Sequence, residues 1–428
     1  MKVAIVGYGI LGNVAAYLLK KDKIEVHVFD QVMDRESPKF FSDPIGPNSL
    51  VWKQAAPKGS PGNAIFWGGA ITNAITNRCL WPNEFIETLP EYATQLRRMG
   101  FPKLQLQIFS QSIDRLKIRY YNKNLFFSRI DQNTHNKKII RHFAFVETIY
   151  SDGNKVALEF RKSDKSYSKM NFDRVIVCAG SIGTFNLLNK SNLIRKTNEF
   201  YYFDHPTWQF GEIKLTKSVS INKLFPNKNI VFGKRPNAIV VKLNLSDFVT
   251  IRIKPIFKKS KIYSSNVPPV RIIYKFLNRC INNIRIRNSK EFSISISLDI
   301  ASNYLRATTN SMGEISHVDY GDSKLLVDNQ LIAQVDLELE KIFGKYEKSW
   351  TDKIDDANKI PAAHYSGLIK STYNGLHDCS ISNFRLNANR SIYVPGAVSF
   401  PGPVLGHPTY LALLSLVYVV DTINTDCR

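Results

Sequence analysis

The first thirty residues leave the rest of the chain little freedom. Val3-Ala4-Ile5-Val6 is an apolar run, followed at once by Gly7-Tyr8-Gly9-Ile10-Leu11-Gly12 and an apolar helical stretch through Leu19. A second apolar run, Ile24 to Phe29, ends in Asp30. Strand, G-x-G-x-x-G, helix, strand and acid in that order predict a βαβ unit that receives a dinucleotide, and so an α/β fold. Gly7 permits the tight turn, Gly9 lets backbone approach a pyrophosphate, and Gly12 lets the helix pack close to the strand. The helix start, from Ile10 and Leu11 on, offers free N–H groups and a partial positive charge to phosphates. Asp30 stands close to the spacing expected of the acid that accepts ribose hydroxyls.

With 428 residues, a single core is a poor expectation and two domains a better one. No apolar run reaches the ~20 residues needed to span a bilayer. The chain opens directly on its first strand, so no cleavable signal peptide is expected. Five cysteines, Cys79, Cys178, Cys280, Cys379 and Cys427, are scattered without metal-type spacing. That pattern predicts a reducing compartment, and the location expected is cytoplasmic, with the inner face of a membrane as a peripheral site. The net charge of +22 permits an anionic lipid, a phosphorylated substrate or nucleic acid, the last not favoured. Lys, Asn and Ile are abundant throughout, so the charge also reads as plain composition.

Further along, Phe66-Trp67-Gly68-Gly69-Ala70 precedes Asn73 and Leu80-Trp81-Pro82. Adjacent glycines after aromatics suit backbone passing close to a flat ligand or a helix. Residues 141–160 read as a hairpin turning at Ser151-Asp152-Gly153-Asn154. Phe172 to Ser181 reads as a buried parallel strand ending in Ala179-Gly180-Ser181, with a helix from about Gly183 to Leu188. From about 206 the pattern changes to alternating strands: 209–215, 238–245, 248–256 and 292–300. In the last, Phe292, Ile294, Ile296, Leu298 and Ile300 share one face and Ser293, Ser295 and Ser297 the other. Residues 325–343 predict a helix, Ser391 to Val394 a strand, and His407-Pro408 the start of a helix to Ile423. Residues 270–281 have helical apolar spacing amid many Lys and Arg. The basic segment 254–290 is therefore a candidate for contact with an anionic membrane, or a domain helix with a solvated face.

Four separated segments together resemble the glucose–methanol–choline family of flavin-dependent oxidoreductases. They are the N-terminal glycine motif with Asp30, where the family usually has Glu; Trp67-Gly68-Gly69 with Trp81-Pro82 and Asn73; Arg174 to Thr184, followed by Asp204-His205-Pro206; and a C-terminal block. In that block His364-Tyr365-Ser366-Gly367, Ser391 to Ala397, and Gly402 to Thr409 each resemble a family motif. Pro395 stands where Asp is common and Leu368 where Thr is common. The resemblance implies a Rossmann-type FAD-binding domain drawn from residues 1–90, 130–205 and 355–428. A second α+β substrate domain on an antiparallel sheet would take 206–354, with 91–129 as a further contributor.

The cofactor implied is FAD, held by Gly7, Gly9, Ile10, Leu11, Gly12, Asp30, Gly68, Gly69, Asn73, Val146, Ala179, Gly180, Gly396, Ala397, His407, Pro408 and Thr409. The resemblance makes His407 and His364 the catalytic pair. One takes the hydroxyl proton of an alcohol while hydride leaves to flavin N5, and the other hydrogen-bonds the alkoxide; imidazole titrates near neutrality and suits both. No metal is implied. The substrate expected is a small-molecule alcohol, preferably a sugar or sugar-containing compound, and the electron acceptor is left open. The alternatives are a flavin-driven reductase or redox-neutral enzyme on the same scaffold, and a non-catalytic protein binding an anionic membrane or polymer.

Overall fold

The computed structural model describes residues 1–19, 24–30, 70–71, 74–76, 81–99, 101, 106–108, 115–117, 119–120, 139–152, 155–194, 199–203, 207–220, 239–242, 248–256, 288–299, 305–319, 329–350, 359–360, 366–369, 381–402, 404 and 408–426. The α-helices among them are α1 (Ile10–Leu18), α2 (Asn83–Arg98), α3 (Gly180–Lys190), α4 (Asn329–Phe343) and α5 (Thr409–Asp426). None of the described helices is long and apolar enough to cross a membrane.

Strands β1 (Lys2–Val6), β2 (Glu25–Asp30), β3 (Ile139–Asp152), β4 (Lys155–Lys162), β5 (Tyr167–Phe172) and β6 (Arg174–Val177) join one nine-stranded sheet. Its order is β5-β4-β3-β2-β1-β6, then Ile392–Tyr393, Arg385–Leu386 and Ile381–Ser382. β1 pairs in parallel with both β2 and β6, β2 with the start of β3, and β6 with Ile392–Tyr393. This parallel centre is why Val3 to Val6 can be apolar without interruption, since both faces are covered. Val3 and Ile5 look into one core with Val26, Val28, α1, α2 and α5. Ala4 and Val6 look into the other with Phe29, Phe160, Phe172 and α3. β3 leaves β2 after Phe143 and continues antiparallel to β4, with a register shift between Val146 and Thr148.

A second, antiparallel sheet has seven strands. Tyr346–Trp350 flanks β7 (Thr207–Ser220), which pairs with β9 (Asn288–Asp299), then β8 (Phe248–Pro255), Ile239–Lys242 and Arg115–Lys117. Lys359–Ile360 also pairs with β7. The alternation read in the sequence appears directly: Phe292, Ile294 and Ile296 are buried with Trp208, Phe210, Ile213, Ile251 and Ile253. Leu331, Val335 and Leu339 of α4 close that face at four-residue spacing. A three-stranded sheet of Glu199–Tyr202, Leu305–Thr309 and Ile315–Asp319 is tied to α3 by side chains. Asn186 Oδ1 accepts from Ile315 N–H at 3.0 Å, and Asn189 Nδ2 donates to the Gly313 carbonyl at 2.7 Å.

Several elements differ from the sequence reading, two of them helices. α3 begins at Gly180 rather than near Gly183. α2 was not anticipated, although Phe85, Ile86, Leu89, Tyr92 and Leu96 are buried along one helical face. The signal was present, but Pro90 interrupts it; its ring removes one backbone donor without ending the helix. The predicted helix at 270–281 lies outside the described residues.

A polar chain crosses the β2–β3 seam. Glu25 Oε1 meets His27 Nε2 at 2.5 Å, and His27 Nδ1 meets His142 Nε2 at 2.8 Å. A carboxylate only accepts, so His27 Nε2 carries the proton of the bond to Glu25. His142 stacks on Phe29, with ring centroids 4.4 Å apart. Burial, then the nearby His27, Lys2 and Lys162, hold the His142 pKa down at about 4 from an ordinary 6.5. The unfolded chain therefore takes up a proton near pH 6.5 that the folded chain refuses until about pH 4. Stability contributed by neutral His142 is complete above 6.5 and falls progressively as pH drops to about 4. Urea unfolding across that window should show the decline, and His142→Gln should flatten it; an unchanged slope in the variant would place its origin elsewhere.

Candidate functional site

The glycine motif is closed on two sides and open on a third. Gly7 has φ +95°, and a Cβ there would lie 2.5 Å from the Cys178 carbonyl oxygen. That approach is fixed by Gly7 N–H donating to the Phe29 carbonyl at 2.8 Å and Cys178 N–H donating to that of Val6 at 2.7 Å. At Gly12 a Cβ would lie 1.9 Å from the Gly7 carbonyl oxygen. At Gly9 it would meet no atom of the described residues within 4 Å. Any side chain at Gly7 or Gly12 collides with backbone, whereas the loop at Gly9 is open among the described residues.

Tyr8, between the first two glycines, is held from several directions. Its N–H donates to Asp30 Oδ2, which ties the acid at the end of β2 to the loop. Its hydroxyl accepts from Arg141 Nη2 at 3.1 Å, and the guanidinium lies 5.3 Å from the ring centroid. Asn13, one residue past the motif, is fully buried and hydrogen-bonded to the loop. Neither Arg141 nor Asn13 was singled out from sequence. For Asn13 the available signal was a polar residue on the buried side of an apolar helix.

The strand-to-helix crossing at β6 abuts the same loop. Gly180 opens α3 with φ +76° and, like Gly9, has no atom of the described residues within 4 Å of where a Cβ would lie. Cys178 is buried, and burial pushes its thiol pKa up, so it stays protonated.

The C-terminal block reaches this corner through Gly396. Its φ of +103° requires glycine, and a Cβ would lie 2.9 Å from Leu11 Cδ1. Gly396 N–H donates to Ser415 Oγ at 3.0 Å, and Ser415 in turn donates to the Ala412 carbonyl at 2.8 Å. Buried Ser399 donates to the Val394 carbonyl at 2.7 Å, closing the turn from within. Pro408 supplies the first carbonyl of α5, bonded by Ala412 N–H at 2.9 Å. Gly367 N–H donates to the Ala397 carbonyl at 2.8 Å, and Ser366 exchanges backbone bonds with Phe203.

The structure thus gathers Gly7, Gly9, Ile10, Leu11, Gly12 and Asp30 at one corner, with Ala179 and Gly180 beside Gly7. Gly396 lies against Leu11 with Ala397 next in the chain, and Pro408 and Thr409 are linked to that turn through α5. Val146 sits at the β3–β4 irregularity with its side chain in the core, 5% exposed, so a ligand could meet only its backbone. Gly68, Gly69, Asn73, His364 and His407 lie outside the described residues, as does 257–287 of the basic segment.

No protein-family model matches the chain, and no curated protein sequence does. Solved structures do match. Pyridoxine 4-oxidase from Mesorbium loti is similar at 13% identity and a TM-score of 0.54, covering 98% of this chain and 98% of that one. Formate oxidase is similar at 11% identity and a TM-score of 0.55, covering 99% of this chain and 98% of its own. At these identities the likeness is one of fold, and it extends over nearly the whole chain. The fold expected from the sequence, a Rossmann-type α/β part and a second part built on an antiparallel sheet, is the one the structure has.

Proposed function

We propose that this protein is an FAD-dependent oxidoreductase that oxidises a CH–OH group of a small molecule. The observation that carries the proposal is the contrast among the three motif glycines. Two are closed by backbone, and the third is open among the described residues at the start of α1, where a pyrophosphate needs close backbone approach. Gly180 offers a second such opening at the start of α3.

The residues proposed to hold the cofactor are the Gly7–Gly12 loop and Asp30 at one end, with Gly396, Ala397, Pro408 and Thr409 beyond Leu11. FAD bound there supplies a hydride acceptor. His407 and His364 are proposed to manage the proton: an imidazole nitrogen of one removes it from the substrate hydroxyl, and the other hydrogen-bonds the same oxygen as charge develops. Two facts support this pairing. His407 immediately precedes Pro408 in the α5 start, which Ser415 links to Gly396. His364 precedes Ser366 and Gly367, and Gly367 is bonded to Ala397. The described residues that follow each histidine in sequence, Ser366–Gly367 and Pro408, are therefore anchored on one turn. A sugar or sugar-containing alcohol is the proposed substrate class.

The purified protein should show the visible bands of oxidised flavin, bleached anaerobically by one class from a panel of sugars, simple alcohols, pyridoxine and formate. A colourless protein that cannot be reconstituted with FAD would sink the proposal. Gly9→Ala should leave apoprotein stability within about 1 kcal/mol, as expected for a helix-cap change with room for the methyl. It should weaken FAD binding by about tenfold or more, ~1.4 kcal/mol. Gly12→Ala should instead destabilise the apoprotein by about 1–3 kcal/mol or beyond, by overpacking against the Gly7 carbonyl. Unchanged FAD affinity in Gly9→Ala would count against the loop as the pyrophosphate site.

A further inference from the structure

Asn13 does something in this fold that its neighbours in α1 do not. Val14, Ala15 and Ala16 are buried and apolar; Asn13 is equally buried, at 0% exposure, and polar. Its amide Nδ2 donates to the Tyr8 carbonyl at 2.6 Å and to the Gly9 carbonyl at 2.9 Å. Its Oδ1 is buried without a hydrogen-bond partner among the described residues. Asparagine is also a weak helix former. A position that gives up stability in two ways, inside a helix where small apolar residues otherwise serve, points to a role beyond packing.

That role follows from peptide geometry. The described peptide bonds are trans, so each carbonyl and the N–H of the next residue point in opposite directions. Drawing the Tyr8 and Gly9 carbonyls in toward Asn13 turns the N–H groups of Gly9 and Ile10 away from it, at a loop that is open among the described residues around Gly9. We infer that Asn13 is a positioning residue that presents the Gly9 and Ile10 N–H groups to the pyrophosphate of a bound dinucleotide. The inference rests on the FAD reading above and adds to it the residue that fixes the loop's peptide planes before the ligand arrives.

The test uses apoprotein of wild type, Asn13→Ala, Asn13→Ser and Val14→Ala, each titrated with FAD by fluorescence quenching and with ADP by calorimetry. Thermal midpoints of the apoproteins are measured in parallel. Asn13→Ala should lose at least tenfold in affinity for both ligands, because both carry the pyrophosphate. Asn13→Ser, which keeps one donor, should recover part of that loss. Val14→Ala, a core change with a comparable drop in midpoint, should stay within threefold of wild type. Wild type binding neither ligand would overturn the proposed function itself. Wild type binding both while Asn13→Ala loses no more affinity than Val14→Ala would overturn the role of Asn13 alone. Failure of both Asn13 variants to fold would also overturn it, making Asn13 a residue of the fold and not of the site.

Discussion

The absent side chain at Gly12 is the constraint on which the glycine-loop corner depends. With the Gly7 carbonyl oxygen only 1.9 Å from where a Cβ would stand, α1 rests on its own loop backbone to backbone. Gly7 makes a similar approach to Cys178, so the ends of β1 and β6 meet in the same way. Three elements therefore converge with no side chains between them. This lets α1 lie flat on β1, and lets α5 lie on α1 in the core that also holds α2. A larger residue at either glycine would lift α1 and open that core from its middle.

Much of this was legible because it is local. Each member of the β1–loop–α1–β2 unit lies within a few residues of the next, and each carries its own period, glycine or acid. The 288–299 strand was equally plain, because Phe292, Ile294 and Ile296 alternate with serines over a half-buried sheet. β5, with Lys169 and Asn171 among its residues, has little strand character of its own; it is a strand because β4 offers it an edge. The hairpin at 305–319 depends on Asn186 and Asn189, more than a hundred residues earlier, and no local pattern shows such a tether.

The site divides along the same line. Glycines with special backbone geometry announce themselves by type and spacing. Arg141, Asn13 and Ser415 do not, because their meaning depends on which distant or inward-facing backbone atom they reach. Ser415 reads as a small residue in an apolar helix, yet its hydroxyl receives Gly396 N–H and holds a turn that only glycine can adopt. Side chains that orient backbone are typed by their partners, and partners are a property of the fold.

The sheet order also sets when the molecule can be finished. β1 lies at the centre of the nine-stranded sheet, but the face formed by Val3, Ile5, Val26 and Val28 is sealed with help from α5, at residues 409–426. Near that end Asp426 is paired with Arg174 and Arg385, and Val175 is in register with Ile392. During synthesis the first strand is made long before its last neighbours, and most of the seven-stranded sheet is made in between. The N-terminal half-core must wait, apolar and uncovered, while a separate sheet forms on the intervening chain. Folding of this kind is dominated by contacts between distant residues and is slow for that reason. The interval before α5 docks is when the nascent chain is most exposed to aggregation.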